Sequence, residues 1–175
     1  GRRARQVMAT YGVHHSLLVQ PNSGYGSDHS RMLAAIAKGE GRLKGVAIID
    51  LDADAATLRQ YKERGIVGAA FNPTFHGNDY YKNSADLIKR LAELDMFVNL
   101  QVEQDQLLMF VPWIEALPVR VLIDHSGRPT PEAGLDQPGF AALLRLASTG
   151  RVSVKLSGYS KFARRPYPFE DCWLY

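Results

Sequence analysis

The sequence has almost no cysteine: Cys172 is the only one in 175 residues. That excludes an internal disulfide and agrees with a reducing compartment, so a cytoplasmic location is expected. No run approaches the roughly 18 consecutive apolar residues of a membrane span. The basic start Gly1-Arg2-Arg3-Ala4-Arg5 lacks the apolar core of a signal peptide, and no membrane partner is expected. An excess of one charge is missing too. The 21 basic and 18 acidic residues leave +3, with three of the arginines in the first five positions. The basic balance is thus largely a terminal effect, and no nucleic-acid partner is expected. Fifteen Gly and nine Pro follow no fixed period and no heptad run occurs, which excludes collagen and coiled-coil rods. Neither Gly-x-Gly-x-x-Gly nor the Gly-x-x-x-x-Gly-Lys-Ser/Thr phosphate loop is present, so the usual sequence arguments for nucleotides are lacking.

What is present is an ordinary globular mixture, 46% apolar and 22% charged, of single-domain length. Short apolar runs recur, each closed by polar residues: 16–20, 43–50, 67–73, 96–102, 119–125 and 151–158. Their length and branched content fit strands buried on both faces. Taking Gln20, Asp50, Asn72, Gln101, Asp124 and Ser157 as strand ends, the steps run from 22 to 33 residues, the size of a βα unit. The intervening segments read as helices over 28–38, 54–64, 83–94, 104–117 and 140–148. Gly65 fits a glycine just past a helix end, Asn83 or Ser84 an N-cap, and Pro112 a kink or restart.

Six βα units in series imply a parallel sheet. A doubly wound open sheet and a (β/α)8 barrel both satisfy that pattern. A barrel needs about 250 residues, and six units in this length extrapolate to roughly 235 for eight. Either way the working face lies at the carboxyl ends of the strands.

Polar groups gather there. Asp124-His125-Ser126-Gly127-Arg128-Pro129 is the densest cluster. An imidazole at a strand end can ligate a metal, move a proton or hydrogen-bond a carbonyl oxygen, or it can simply order a loop. Arg128 can clamp a carboxylate or form a surface ion pair. Lys155 either reaches into the mouth, to hold an anion or act as a base, or snorkels at the strand end. Asn99 and Gln101, two apart, share a face, as site residues or as a buried amide network. His14-His15 precedes its strand, at the wrong end for catalysis. His29 belongs to a helix start or a loop contact, and His76 to an aromatic loop with Tyr80 and Tyr81. The run Tyr159–Arg165 offers cations to a carboxylate or is a solvated charge run.

Several of these runs, taken in order, resemble a known family. They are Leu18-Val19-Gln20-Pro21 with Tyr25-Gly26, Lys44-Gly45-Val46-Ala47, Phe71-Asn72, Ile123–Pro129, Gln137-Pro138-Gly139-Phe140 and Val154-Lys155-Leu156-Ser157-Gly158. Together they resemble the amidohydrolase-related TIM-barrel hydrolases, in the branch of 2-pyrone-4,6-dicarboxylate lactonase and sugar lactonases. The resemblance implies an α/β parallel (β/α)8 barrel. Residues 1–175 would form a single partial domain of about six units, strands two to seven, with the first and last units absent. It implies hydrolysis of a lactone or similar ester of a small anionic or sugar-derived molecule. His125 would be catalytic. Arg128 and Lys161 would hold the anionic part of the substrate, and Gln20, Tyr25, Gln101 and Ser157 would line the pocket. The acid that activates water would come from strand eight.

Members of the wider superfamily use a divalent metal such as zinc, whereas this branch has no obligatory one. The ligand set is left open, with His125 as its one candidate. Ala70 stands where the pyrone lactonase has an arginine, and Lys161 where the family often has another. Two alternatives accompany the main reading: a metal-dependent decarboxylase of the same superfamily, and a catalytically inactive barrel fragment. Six strands would leave two open edges, which a homo-oligomer is one way to cover.

Overall fold

The computed structural model describes residues 2–175. Its centre is one six-stranded sheet in sequential order: β1 (Ser16–Val19), β2 (Leu43–Ala47), β3 (Ile66–Phe71), β4 (Phe97–Leu100), β5 (Val121–Ile123) and β6 (Val152–Val154). Every neighbouring pair is parallel. Sequential order without a reversal removes the doubly wound alternative, which needs a switch point. The sheet is a half-barrel, part of a TIM barrel.

Helices occupy the crossovers: α2 (Ser30–Ala37), α3 (Ala55–Glu63), the short α4 (Pro73–His76), α5 (Ala85–Glu93), α6 (Val111–Ala116) and α7 (Pro138–Ala147). α3 starts where Asp54 accepts a hydrogen bond from the Thr57 N–H at 2.7 Å. It ends at Gly65, whose φ of +93° only glycine adopts without strain. At α5, Ser84 takes the N-cap position but does not cap. Its hydroxyl donates back to the Tyr81 carbonyl at 2.6 Å. Pro112 does restart the helix: a 3-10 segment over Gln104–Met109 precedes α6, with the proline in the first turn. The sequence reading placed no element before residue 16, yet α1 spans Arg2–Thr10. Alanine, glutamine and arginine favour a helix there, and Gly12 at φ +66° follows its end.

Alternation along the strands separates two faces. Val98, Leu100 and Val102 are buried with Ile88, Phe110 and Ile114, under the helices. Asn99 and Gln101 turn to the concave face. The core therefore lies between sheet and helices, with Leu58, Leu87, Leu91, Leu107, Ile123 and Leu146 almost wholly enclosed. At about 25 cal/mol per Å2 of apolar surface, this layer is the main source of stability.

Burial on both faces does not hold at the margin. Leu17 and Val19 of β1 are 41% and 43% exposed, because they face the open hollow. The strands also end early, by one residue at β1, β3, β4 and β5 and by three at β2 and β6. The residues beyond those ends carry the site.

Candidate active site

The carboxyl ends of the strands enclose a cavity of about 290 Å3. Gln20, Asn22, Asn72, Asn99, Gln101, Asp124, His125 and Lys155 supply its polar lining. Register explains their convergence. Ala70 lies beside Asn99, Asn99 beside Leu122, and Leu122 beside Ser153. Two residues further on, the same parity presents Asn72, Gln101, Asp124 and Lys155 inward.

The floor is a closed charged ring. Lys155 Nζ sits 2.7 Å from Asp124 Oδ1 and donates to Asn99 Oδ1 at 2.8 Å. Asn99 Nδ2 in turn donates to Asp124 Oδ2 at 3.0 Å. Asn99 is 2% exposed and the Asp124 side chain 8%, whereas the Lys155 side chain is 29% exposed. The lysine thus reaches into the mouth, and the buried carboxylate is neutralised rather than free.

His125 follows directly. Four successive residues, His125, Ser126, Gly127 and Arg128, have φ of 55°, 54°, 72° and 45°. For the three that carry a Cβ, a left-handed backbone costs about 1–2 kcal/mol each. Backbone bonds hold the turn: Ser126 N–H to Lys155 O at 3.0 Å, Gly127 N–H to Asp124 O at 3.0 Å and Arg128 N–H to His125 O at 2.9 Å. Such strain concentrates at functional sites, and here it aims the imidazole. Nothing in the sequence beyond Ser-Gly announces it.

The imidazole rests on two neighbours. Its Nδ1 is 3.1 Å from Ser157 Oγ. Gly158, at φ +71°, lies so close that a Cβ there would come within 2.6 Å of the ring Cγ. Loss of hydration lowers the His125 pKa. Asp124 opposes that shift, and the positive charges of Arg128, Lys161 and Lys155 reinforce it.

Two predicted contacts build walls. Gln20 donates to the Gly26 carbonyl at 2.8 Å and accepts from the Ile48 N–H at 3.0 Å, tying the ends of β1 and β2 together. Gln101 donates to Asn72 Oδ1 at 3.2 Å and Thr74 Oγ1 at 2.9 Å. Asn72 is fixed further by Tyr81, whose hydroxyl accepts its N–H at 2.8 Å. Burial pushes that phenol up to about 12, so it stays neutral.

Arg128 and Lys161 line a second cavity of about 210 Å3, with Arg164, Glu103 and Thr130. Arg128 is 3.6 Å from Glu103 and its side chain is only 14% exposed. Arg164 also pairs with Glu132 at 3.3 Å, and Arg165 with Glu170 at 3.3 Å. Ser157 stands behind the imidazole and is absent from the lining of the first cavity. Tyr25 lines neither cavity. It is 40% exposed, with the Arg31 guanidinium 5.7 Å from its ring centroid. His29 is buried and structural, its Nε2 2.7 Å from the Ile48 carbonyl and its ring edge-on to Tyr61. His14 and His15 are exposed. His76 stacks on Tyr80.

Asn99 and Lys155 are not singled out as site residues by local sequence signals, because they meet only through the β4–β5 and β5–β6 registers. Asp124 meets Lys155 through the β5–β6 register, which is equally non-local.

Among the described residues no three His, Cys, Asp or Glu side chains cluster to hold a divalent metal. The carboxylate beside His125 is already paired with an ammonium. Also among the described residues, no helix is long and apolar enough to cross a membrane.

Comparison with known proteins agrees with this architecture. The amidohydrolase family model matches residues 2–173. A 4-sulfomuconolactone hydrolase from Hydrogenophaga intermedia is 31% identical over 170 residues, covering 95% of this chain and 55% of that protein. A putative 2-pyrone-4,6-dicarboxylic acid hydrolase from Pseudomonas putida superposes with a TM-score of 0.81 at 30% identity, covering 96% of this chain and 62% of that one. A probable 2-pyrone-4,6-dicarboxylic acid hydrolase from Acinetobacter baumannii, with citric acid bound, gives 0.80 at 25% identity, covering 94% and 62%. The chain spans a little over half the length of the curated relatives it matches. With the family model matching almost end to end, the chain belongs to the amidohydrolase family.

Proposed function

We propose that the protein carrying this chain hydrolyses a lactone of a small anionic molecule, with His125 as the electrophilic group at the carbonyl. The observation that carries the reading is the strained turn that sets a neutral-leaning imidazole at the cavity wall, beside three cations. The names of the sulfomuconolactone and pyrone-dicarboxylic acid hydrolases support both the lactone and the anion.

In the tautomer this role requires, the Ser157 hydroxyl donates to Nδ1, which leaves Nε2–H to donate to the carbonyl oxygen. Water adds to the carbonyl carbon and negative charge develops on that oxygen. The Nε2–H bond strengthens as it does so, lowering the barrier. Collapse breaks the ring C–O bond, and the departing oxygen takes up the proton that the added water gives up, yielding the hydroxy acid. Asp124 is not the base that takes the water proton, because Lys155 and Asn99 hold both its oxygens. Arg128 and Lys161 hold the anionic substituent from the second cavity.

The test is His125→Asn in the full-length protein, assayed on a panel of anionic lactones. A fall in kcat/KM of at least tenfold, about 1.4 kcal/mol, is expected. A smaller loss with the fold intact removes His125 from the chemistry.

A further inference from the structure

We infer that Lys155 is a ligand-binding residue of the cavity at the carboxyl ends of the strands, gripping an anionic oxygen of the ligand, with Asp124 and Asn99 as its positioning residues. The inference rests on the cavity being the substrate site, but not on which bond is broken there.

An ammonium has three N–H donors. Asp124 and Asn99 engage two sides of it, at 2.7 and 2.8 Å. The burial gradient then points the group: both partners are under the surface, and the lysine is the exposed member on the cavity wall. A lysine that only neutralised a buried carboxylate would have no need to line the cavity. A flexible lysine loses rotamer freedom on binding a ligand, and here the ring has already removed that cost. The site also lies apart from the cavity of Arg128, Lys161 and Arg164, so the two cationic centres have separate linings. Lys155 therefore supplies positive charge at the wall of this cavity.

Citrate is the probe, as a polycarboxylate of the size the cavity admits, measured by calorimetry on the full-length protein. Lys155→Met alone would leave Asp124 buried and unpaired and threatens the fold. The test therefore uses Asp124→Asn with Lys155→Met, which removes both charges together. At least a tenfold loss of citrate affinity is expected, with a wild-type-like circular dichroism spectrum. Asn99→Ala tests positioning by a signal that packing alone would not move. The Lys155 ammonium 15N resonance, sharp when its protons are held, should broaden beyond detection. Citrate affinity within twofold of wild type in the double variant overturns the inference, as does a wild type that binds no citrate at millimolar concentration. Neither outcome touches the lactonase reading, which fails separately if His125→Asn keeps its kcat/KM.

Discussion

The two faces of the sheet are made of the same strands and do opposite work. On β4, Val98 and Leu100 turn under the helices and are 4% and 1% exposed, among aliphatic and aromatic neighbours. Asn99, between them, turns into the hollow and joins a ring with Asp124 and Lys155. A period of two thus puts cohesion and chemistry on adjacent residues. The helix face is dry and interchangeable in kind, since any well-fitting apolar side chain stabilises it. The concave face is polar, tied by an ion pair and hydrogen bonds at its floor, and sensitive to each donor and acceptor.

Substitutions on the two faces should therefore fail in different ways. The largest effect on stability is expected from Leu100→Ala, which opens a cavity in the enclosed layer and costs about 2–5 kcal/mol. Urea unfolding would show it, and kcat/KM per folded molecule should stay within a few-fold of wild type. Asn99→Ala, one residue away, should cost less, about 1–3 kcal/mol for the polar partners it strands. Gly158→Ala should cost about 1–2 kcal/mol for its left-handed backbone, and should also displace the imidazole and reduce kcat/KM at least tenfold. Gly150→Ala separates those contributions. Gly150 has φ +75° and open space around it, so it should lose stability without losing activity. The smallest effect belongs to the outer surface. Arg120 is 62% exposed and pairs with Asp95 at 2.7 Å, so Arg120→Ala should cost less than about 1 kcal/mol.

The same contrast explains what the sequence could show. Periodicity marks the repeated βα unit, because alternation and helix period are local. Pro112 and Gly65 act through their own backbones, so their effects on α6 and α3 were legible. The polar cluster at the strand ends was legible as a cluster. Its partnerships were not. Lys155 meets Asp124 only through the β5–β6 register, and Gln20 spends its amide on the β1–β2 junction because of contacts remote in sequence. The left-handed turn at 125–128 is imposed by its setting against β6. The assignment of Tyr25 to the pocket rests on resemblance alone, and its ring lies beside the Arg31 guanidinium.

Catalysis through His125 requires a neutral ring whose Nε2 carries the proton. Its folded pKa is lowered first by lost hydration, so this group's contribution to stability is full above the unfolded value of 6.5 and is lost as the pH falls through the folded value. The most direct measurement is a 15N-detected titration of the His125 ring in the full-length protein. Titration below 6.5 with the proton on Nε2 at pH 7 is the predicted result. A ring that titrates above 6.5, or that carries its single proton on Nδ1, would contradict the account.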